Sequence, residues 1–405
     1  MRWEQSRSFE AGLDLGFFNN RLSFIFDYYN RTTDDLLTDV NLPAYTGFSS
    51  MKTNLGRLRN SGFEMEVRAN ILTNPKGLNW EVTANLTSVS NKILKLPTSD
   101  KPFNQIDGYE VAAGLYDPAT GETPTKWIGG YREGGKLGDL VGYVQKHIFR
   151  DWDDVRANAN MVIDEVANLY GPGMADQINP QTGLTYAQSS GWKPIEPGDV
   201  CWDDINQDGK INSLDRAVVG NIFPKVTGGF STTLSYKNLS LYARFDYALG
   251  HTIYNDLKAR SLGQYQGQFN IIDKVHDTWS ETNPDADLPV FTYADQLNKK
   301  NITRSNNGNT AVDNNSSRFY EKGDYLALRE ITLSYNLPKT WISKAGMTDA
   351  SVYVTGQNLF YITGYDGVSP EPAVATTYGR GIDNGRYPTP RTVLFGLSVT
   401  CLLYT

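Results

Sequence analysis

Alternation with a period of two runs through much of this chain, and no apolar run approaches the roughly 18 residues of a membrane-spanning helix. In "GFEMEVRANIL", Phe63, Met65, Val67, Ala69 and Ile71 are apolar, while Glu64, Glu66, Arg68 and Asn70 are polar. Successive strand side chains point to opposite faces, so such a segment has one oily face and one wet face. "WEVTANLTSVS" repeats the pattern after "TNPKGLN", which predicts a hairpin. "FEAGLDLGFF" and "RLSFIFDYYN" flank a turn at Asn19 and Asn20 and predict a second. Further candidates are "DLVGYVQKHIF", "TGGFSTTLSYK", "LSLYARFDYAL", "YLALREITLSYNL", "ASVYVTGQNLFYI" and "TVLFGLSVTCL", making about ten strands by this template.

Some connections are short, while those from Asp151 to Gly198 and from His251 to Arg318 are very long. Short turns alternating with long loops, with aromatics at strand ends, suit an antiparallel transmembrane β-barrel. A soluble β-sandwich alternates in the same way, because one face of each sheet packs on the other. The pattern alone leaves both open. Two segments break it: Val155, Ala159, Val162, Val166 and Leu169 recur at helical spacing and predict an amphipathic helix, and Ile272, Val275 and Trp279 form a second apolar stripe.

Tyrosine (24 residues) and glycine (37 residues) are abundant, which favours strands and turns over helices. Against 45 Asp plus Glu stand 38 Lys plus Arg, a net charge of −7 with no basic field for nucleic acid. The histidines His147, His251 and His276 are scattered, and no HExxH, GxSxG, GxGxxG or Walker pattern occurs, so an enzyme is not expected. Cys201 and Cys401 receive no role.

One motif does predict a ligand. In "DINQDGKINSLD", Asp204, Asn206, Asp208, the Lys210 carbonyl, Asn212 and Asp215 fall at positions one, three, five, seven, nine and twelve around Gly209. That is the spacing of an EF-hand-type loop, in which a sharp turn wraps six or more oxygens around a hard cation. A structural Ca2+ is the expected cofactor. The same residues also dominate ordinary surface turns.

Several blocks resemble a known family. "WEQSRSFEAGLDLGFFNNRLSFIFDYYNRTTDDLL", "PGDVCWDDINQDGKINSLDRAVVGNIFPKVTGGFSTTLSYKNLSLYARFDY", "DTWSETNPDADLP", "SRFYEKGDYLALREITLSYNLP", "VYVTGQNLFYITGYDGVSPE" and "YPTPRTVLFGLSVT", in this order, are similar to the carboxy-terminal part of SusC/RagA-type TonB-dependent outer-membrane receptors of Bacteroidetes. The resemblance implies an all-β fold, a 22-stranded barrel of which residues 1–405 would be the carboxy-terminal part, without plug domain or amino-terminal strands. It also implies location in the cell outer membrane, a SusD-like lipoprotein partner over the extracellular loops, coupling to the TonB system through the absent plug, and import of glycans or peptides. Family members usually end on an aromatic residue closing the last strand, whereas here Val393, Phe395, Leu397 and Val399 lead to Cys401 and "LLYT". The competing reading is a secreted, calcium-stabilised β-sandwich that binds polysaccharide, and a secreted glycosidase comes third.

Overall fold

The computed structural model describes residues 2–41, 50–74, 76–96, 104–263, 272–291, 316–371, 381–385 and 387–401. The tail around Tyr404 lies outside them. Nine strands form one antiparallel sheet in chain order: β1 (Gln5–Phe17), β2 (Leu22–Asn41), β3 (Ser50–Leu72), β4 (Leu78–Lys95), β5 (Val226–Tyr236), β6 (Leu239–Leu249), β7 (Tyr325–Asn336), β8 (Met347–Thr363) and β9 (Thr392–Cys401). Among the described residues β1 and β9 are the two outer edges.

Register sorts the side chains into two continuous faces. Leu15, Phe24, Val67, Ala84, Phe230, Phe245, Leu328 and Phe360 lie side by side across eight strands, and Phe230 stacks on Phe245 with ring centroids 4.6 Å apart. One step along, the row is Gly16, Ser23, Arg68, Thr83, Ser231, Arg244, Glu330, Gln357 and Thr392. A one-residue slip anywhere would exchange the two rows, so the pattern itself fixes the pairing. The apolar face is uncovered: Phe9 is 63% exposed and Phe395 84%. A sandwich would have buried it under a second sheet.

Connections alternate in length. Short turns at 18–21, 237–238 and 337–346 reverse the chain at one rim, as does the turn between β3 and β4, while the connections after β4, β6 and β8 are long and leave from the other. At the first turn Phe18, Asn19 and Asn20 all have positive φ, a conformation that asparagine tolerates well and phenylalanine poorly. β2 and β3, with 20 and 23 residues, are about twice the length a tilted strand needs to cross a bilayer, so they continue past it.

The residues between β4 and β5 fold into a compact unit on the long-loop rim. Here the sequence expectation is corrected twice. "DLVGYVQKHIF" is not a tenth wall strand; it divides into short strands Asp139–Tyr143 and Gln145–Ile148, which pair with Arg216–Asn221 and Val200–Trp202. Local alternation cannot tell the two outcomes apart. The amphipathic helix expected from Val155 through Leu169 is confined to α1 (Trp152–Ala159), capped by Asp151 and buried at Val155 and Ala159. Beyond it, Asp164 accepts the backbone N–H groups of Val166 and Ala167, both at 3.0 Å, and Ile163–Asp164 joins Leu169–Tyr170 and Lys210–Ile211 in a small sheet. An aspartate that offers the backbone such partners competes with helix. The stripe Ile272, Val275 and Trp279 similarly yields only a turn of 3-10 helix, Asp273–His276.

The long loops are tied to one another. The N–H of Val290 donates to the Gly198 carbonyl, the Trp279 indole donates to the Arg150 carbonyl, and Tyr254 and Asn255 pair in parallel with Ile382 and Asp383.

Candidate functional site

The polar face of the sheet is the first candidate, because it is the face a barrel turns toward its lumen. Near β1 to β4 it holds a cavity of about 630 Å³ lined by Glu10, Asp27, Tyr29, Arg31, Asn60 and Glu64. The acids outnumber Arg31, whose guanidinium lies 3.6 Å from Glu10. Farther round, the wall carries a bulge at Arg329, where the pairing of β7 with both neighbours skips a residue. The extra residue turns the guanidinium into the polar side, where it donates to Asp246 and the Tyr361 hydroxyl, each at 3.0 Å, and to Glu371. Glu371 belongs to the connection between β8 and β9, so that connection folds back against the wall. A neighbouring contact, His251 Nε2 to the Pro370 carbonyl at 3.1 Å, holds the same segment. Sequence reasoning missed Arg329, although a signal was present: apolar residues fall at 326 and 328, then at 331 and 333, a change of parity within one strand.

The second candidate is the loop from Asp204 to Asp215. Gly209 has φ +78°, as the turn requires, and the six expected residues are gathered in one short segment. Their oxygens mostly accept backbone N–H groups. Asp204 takes Gly209 at 2.9 Å, Asp208 takes Lys210 at 2.7 Å, and Asn212 takes Leu214 at 2.8 Å. Asp215 is fully buried and takes Ile205 at 2.9 Å and Asn212 at 2.8 Å. Asn206, also fully buried, links the loop to the 116–123 hairpin: its side-chain amide donates to the Thr123 hydroxyl at 2.9 Å, and its backbone carbonyl accepts the N–H of Tyr116 at 2.8 Å. The Lys210 ammonium instead stands 4.0 Å from Glu165.

Does this arrangement fit a calcium ion? Among the described residues no three His, Cys, Asp or Glu side chains converge as a ready metal cage. Two observations favour the ion. Burial pushes Asp215 up to about 7, and Asp204 and Asp208 push it further in the same direction, so the three carboxylates are close enough to repel. Among the described residues none of them has a Lys or Arg partner. The donor set of carboxylates, amide oxygens and a carbonyl is that of a hard cation.

No family model matches the chain. It is 29% identical over 405 residues to TonB-dependent receptor P3 of Formosa agariphila, covering 98% of this chain and 34% of that protein. It is 28% identical over 403 residues to TonB-dependent receptor SusC of Bacteroides thetaiotaomicron, covering 98% and 32%. Among solved structures, that of the RagAB peptide transporter aligns over 98% of this chain and 36% of its own, with a TM-score of 0.63 and 24% identity. The chain spans about a third of the length of the curated relatives it matches. Two-faced strands, the alternation of short turns with long loops, and these similarities agree: over nearly its whole length the chain is similar to about a third of SusC-type TonB-dependent receptors, and it has the fold of part of such an outer-membrane β-barrel.

Proposed function

We propose that this chain forms part of an outer-membrane importer for glycans or peptides. One observation carries the reading: along the middle of its strands a single sheet exposes a continuous apolar face of Phe, Leu and Val and carries charged residues such as Glu64, Glu66 and Arg68 on the other, as a wall between lipid and an aqueous lumen does. The alternative of a secreted β-sandwich requires that apolar face to be covered. The relatives are named as receptors and transporters, which supports transport over catalysis.

In this reading the long connections face the cell exterior, where a SusD-like lipoprotein closes over them. The short turns face the periplasm, and TonB drives import through a plug domain in the complete receptor. Calcium held by Asp204, Asn206, Asp208, the Lys210 carbonyl, Asn212 and Asp215 fixes the unit between β4 and β5 and lies off the transport path. Deleting the gene for the complete receptor tests the reading. Uptake of oligosaccharides or peptides too large for general porins should stop and return on complementation; unchanged uptake across a panel of both classes would refute it.

A further inference from the structure

We infer that a cavity at the long-loop rim of the wall is a binding site for an anionic group, a carboxylate or sulfate carried by the imported oligomer; this rests on the import reading. The cavity has a volume of about 590 Å³, within the usual range for ligand pockets, and lies where β4 ends and β5 and β7 begin. Three lysines from separate parts of the chain line it: Lys136, Lys225 and Lys322.

Their backbones are fixed. Lys136 lies between Gly135, whose carbonyl accepts the N–H of Ile93 at 2.9 Å, and Leu137, whose N–H donates to Asn91 at 2.6 Å. Lys225 donates its N–H to Leu249 at 2.9 Å and accepts the Ser88 hydroxyl at 2.9 Å. Lys322 pairs with Thr252 in a short antiparallel ladder. The ammonium groups are uncommitted: lysine ion pairs among the described residues belong to Lys146, Lys210, Lys258 and Lys274.

Two acids also line the cavity, and both are engaged in holding the rim together. Asp139 accepts the Asn221 amide at 2.8 Å, and Asp324 accepts the N–H of Gly250 at 2.6 Å. Three lysines without an ion pair among the described residues thus line the cavity together with two carboxylates that are already hydrogen-bonded. Val89 is shared with the cavity that holds Glu10, Asp27 and Glu64, so the wall turns from cationic to acidic across one residue. An anionic group entering from outside is attracted at the rim and repelled below it. A neutral chain feels neither, so the lysines select for charge.

Calorimetric titration of the purified complete receptor tests this with tetragalacturonate, tetraglutamate and a sulfated tetrasaccharide as acidic probes and maltotetraose as the neutral one. At least one acidic probe should bind more tightly than maltotetraose, and which one distinguishes carboxylate from sulfate. Replacing Lys225→Gln and Lys322→Gln together should weaken that probe about 10-fold or more, the scale of a lost charge-assisted hydrogen bond, while Lys225→Arg with Lys322→Arg retains it. Equal binding of the probe by the wild type and the glutamine variant, or no preference for any acidic probe, overturns the site. The import reading stands or falls separately, on uptake in the deletion strain.

Discussion

Tyr29 and Gly62 oppose each other across β2 and β3, and the tyrosine ring fills the space that a side chain at 62 would need. A Cβ on Gly62 would stand 2.9 Å from the Tyr29 hydroxyl oxygen and would also meet the Ser88 carbonyl. The same pairing recurs at Gly228 with Tyr247 and at Gly396 with Tyr353. Glycine weakens a strand, and an aromatic neighbour lying over it restores the lost packing.

Gly62→Val should therefore destabilise the complete barrel by about 1 to 3 kcal/mol, the usual range for overpacking. Gly364→Ala, at a glycine with open space around it, should be neutral. Urea unfolding followed by tryptophan fluorescence compares the two. Equal effects would mean that the ring moves aside freely.

Val67 and Arg68 test which face meets lipid. Val67 pairs with Phe24 and Ala84 on the apolar face, and Arg68 with Ser23 and Thr83 on the polar one. An arginine at a lipid-facing midplane position costs about 2 to 4 kcal/mol, so Val67→Arg should be strongly destabilising and Arg68→Ala mild. The reverse order in the same unfolding experiment would invert the assigned faces.

Arg329 pins the connection after β8 through Glu371, while Asp246 holds the guanidinium from the wall side. Removing Glu371 leaves the arginine paired, so Glu371→Ala should free the segment without unfolding the barrel. Hydrogen exchange should rise across residues 364–371 and stay unchanged in β7. Exchange that remains slow in that segment would show that His251 and the parallel pairing of Asn255 with Asp383 suffice.

Cys201 is 5% exposed, and burial pushes its thiol up to about 11 from an ordinary 9.0. The reactive species is the thiolate, so at pH 8 Cys201 has about a hundredfold less of it than an ordinary cysteine. Its alkylation by iodoacetamide, followed by peptide mapping of the folded receptor, should be slow at pH 8 and rise about tenfold per pH unit toward 11. Rapid labelling at pH 8 would mean that the unit between β4 and β5 opens.

The wall was legible because lipid on one side and water on the other impose a strict period on every strand. Nine of the ten proposed segments lie in the wall for that reason. The tenth, at 139–149, alternates because a small buried sheet makes the same local demand, and only its partners at 200–202 and 216–221 distinguish the two. The helical spacing of Val162, Val166 and Leu169 misled in a similar way, since a tight turn packs those residues inward on two adjoining clusters, with Val162 touching both. The lysine cavity had no signature at all. Lys136, Lys225 and Lys322 are separated by about a hundred residues or nearly so, and long-range pairing alone brings them together.

The EF-hand-type spacing was plain in the sequence, and calcium binding there is the last expectation. Asp204, Asp208 and Asp215 place three carboxylates in one loop without a cationic partner among the described residues, and a divalent cation would relieve their repulsion. At position twelve Asp215 is a methylene shorter than the usual glutamate, and both of its oxygens now accept backbone N–H groups. The loop must close to reach the ion, which sets the expected dissociation constant at about 10⁻⁶ to 10⁻⁴ M. At about 100-fold excess, binding favours the ordered loop by about 2.7 kcal/mol, enough to rigidify it and small beside the stability of a complete barrel. Calorimetric titration of the complete receptor should give one heat that is lost in Asp208→Ala. Chelation should raise protease cleavage near residue 210 while the barrel stays folded, because the loop's contacts at Tyr116, Thr123 and Ile163 all lie in the unit between β4 and β5. Identical calcium binding by wild type and Asp208→Ala would place the ion elsewhere and leave this loop an Asx-rich turn.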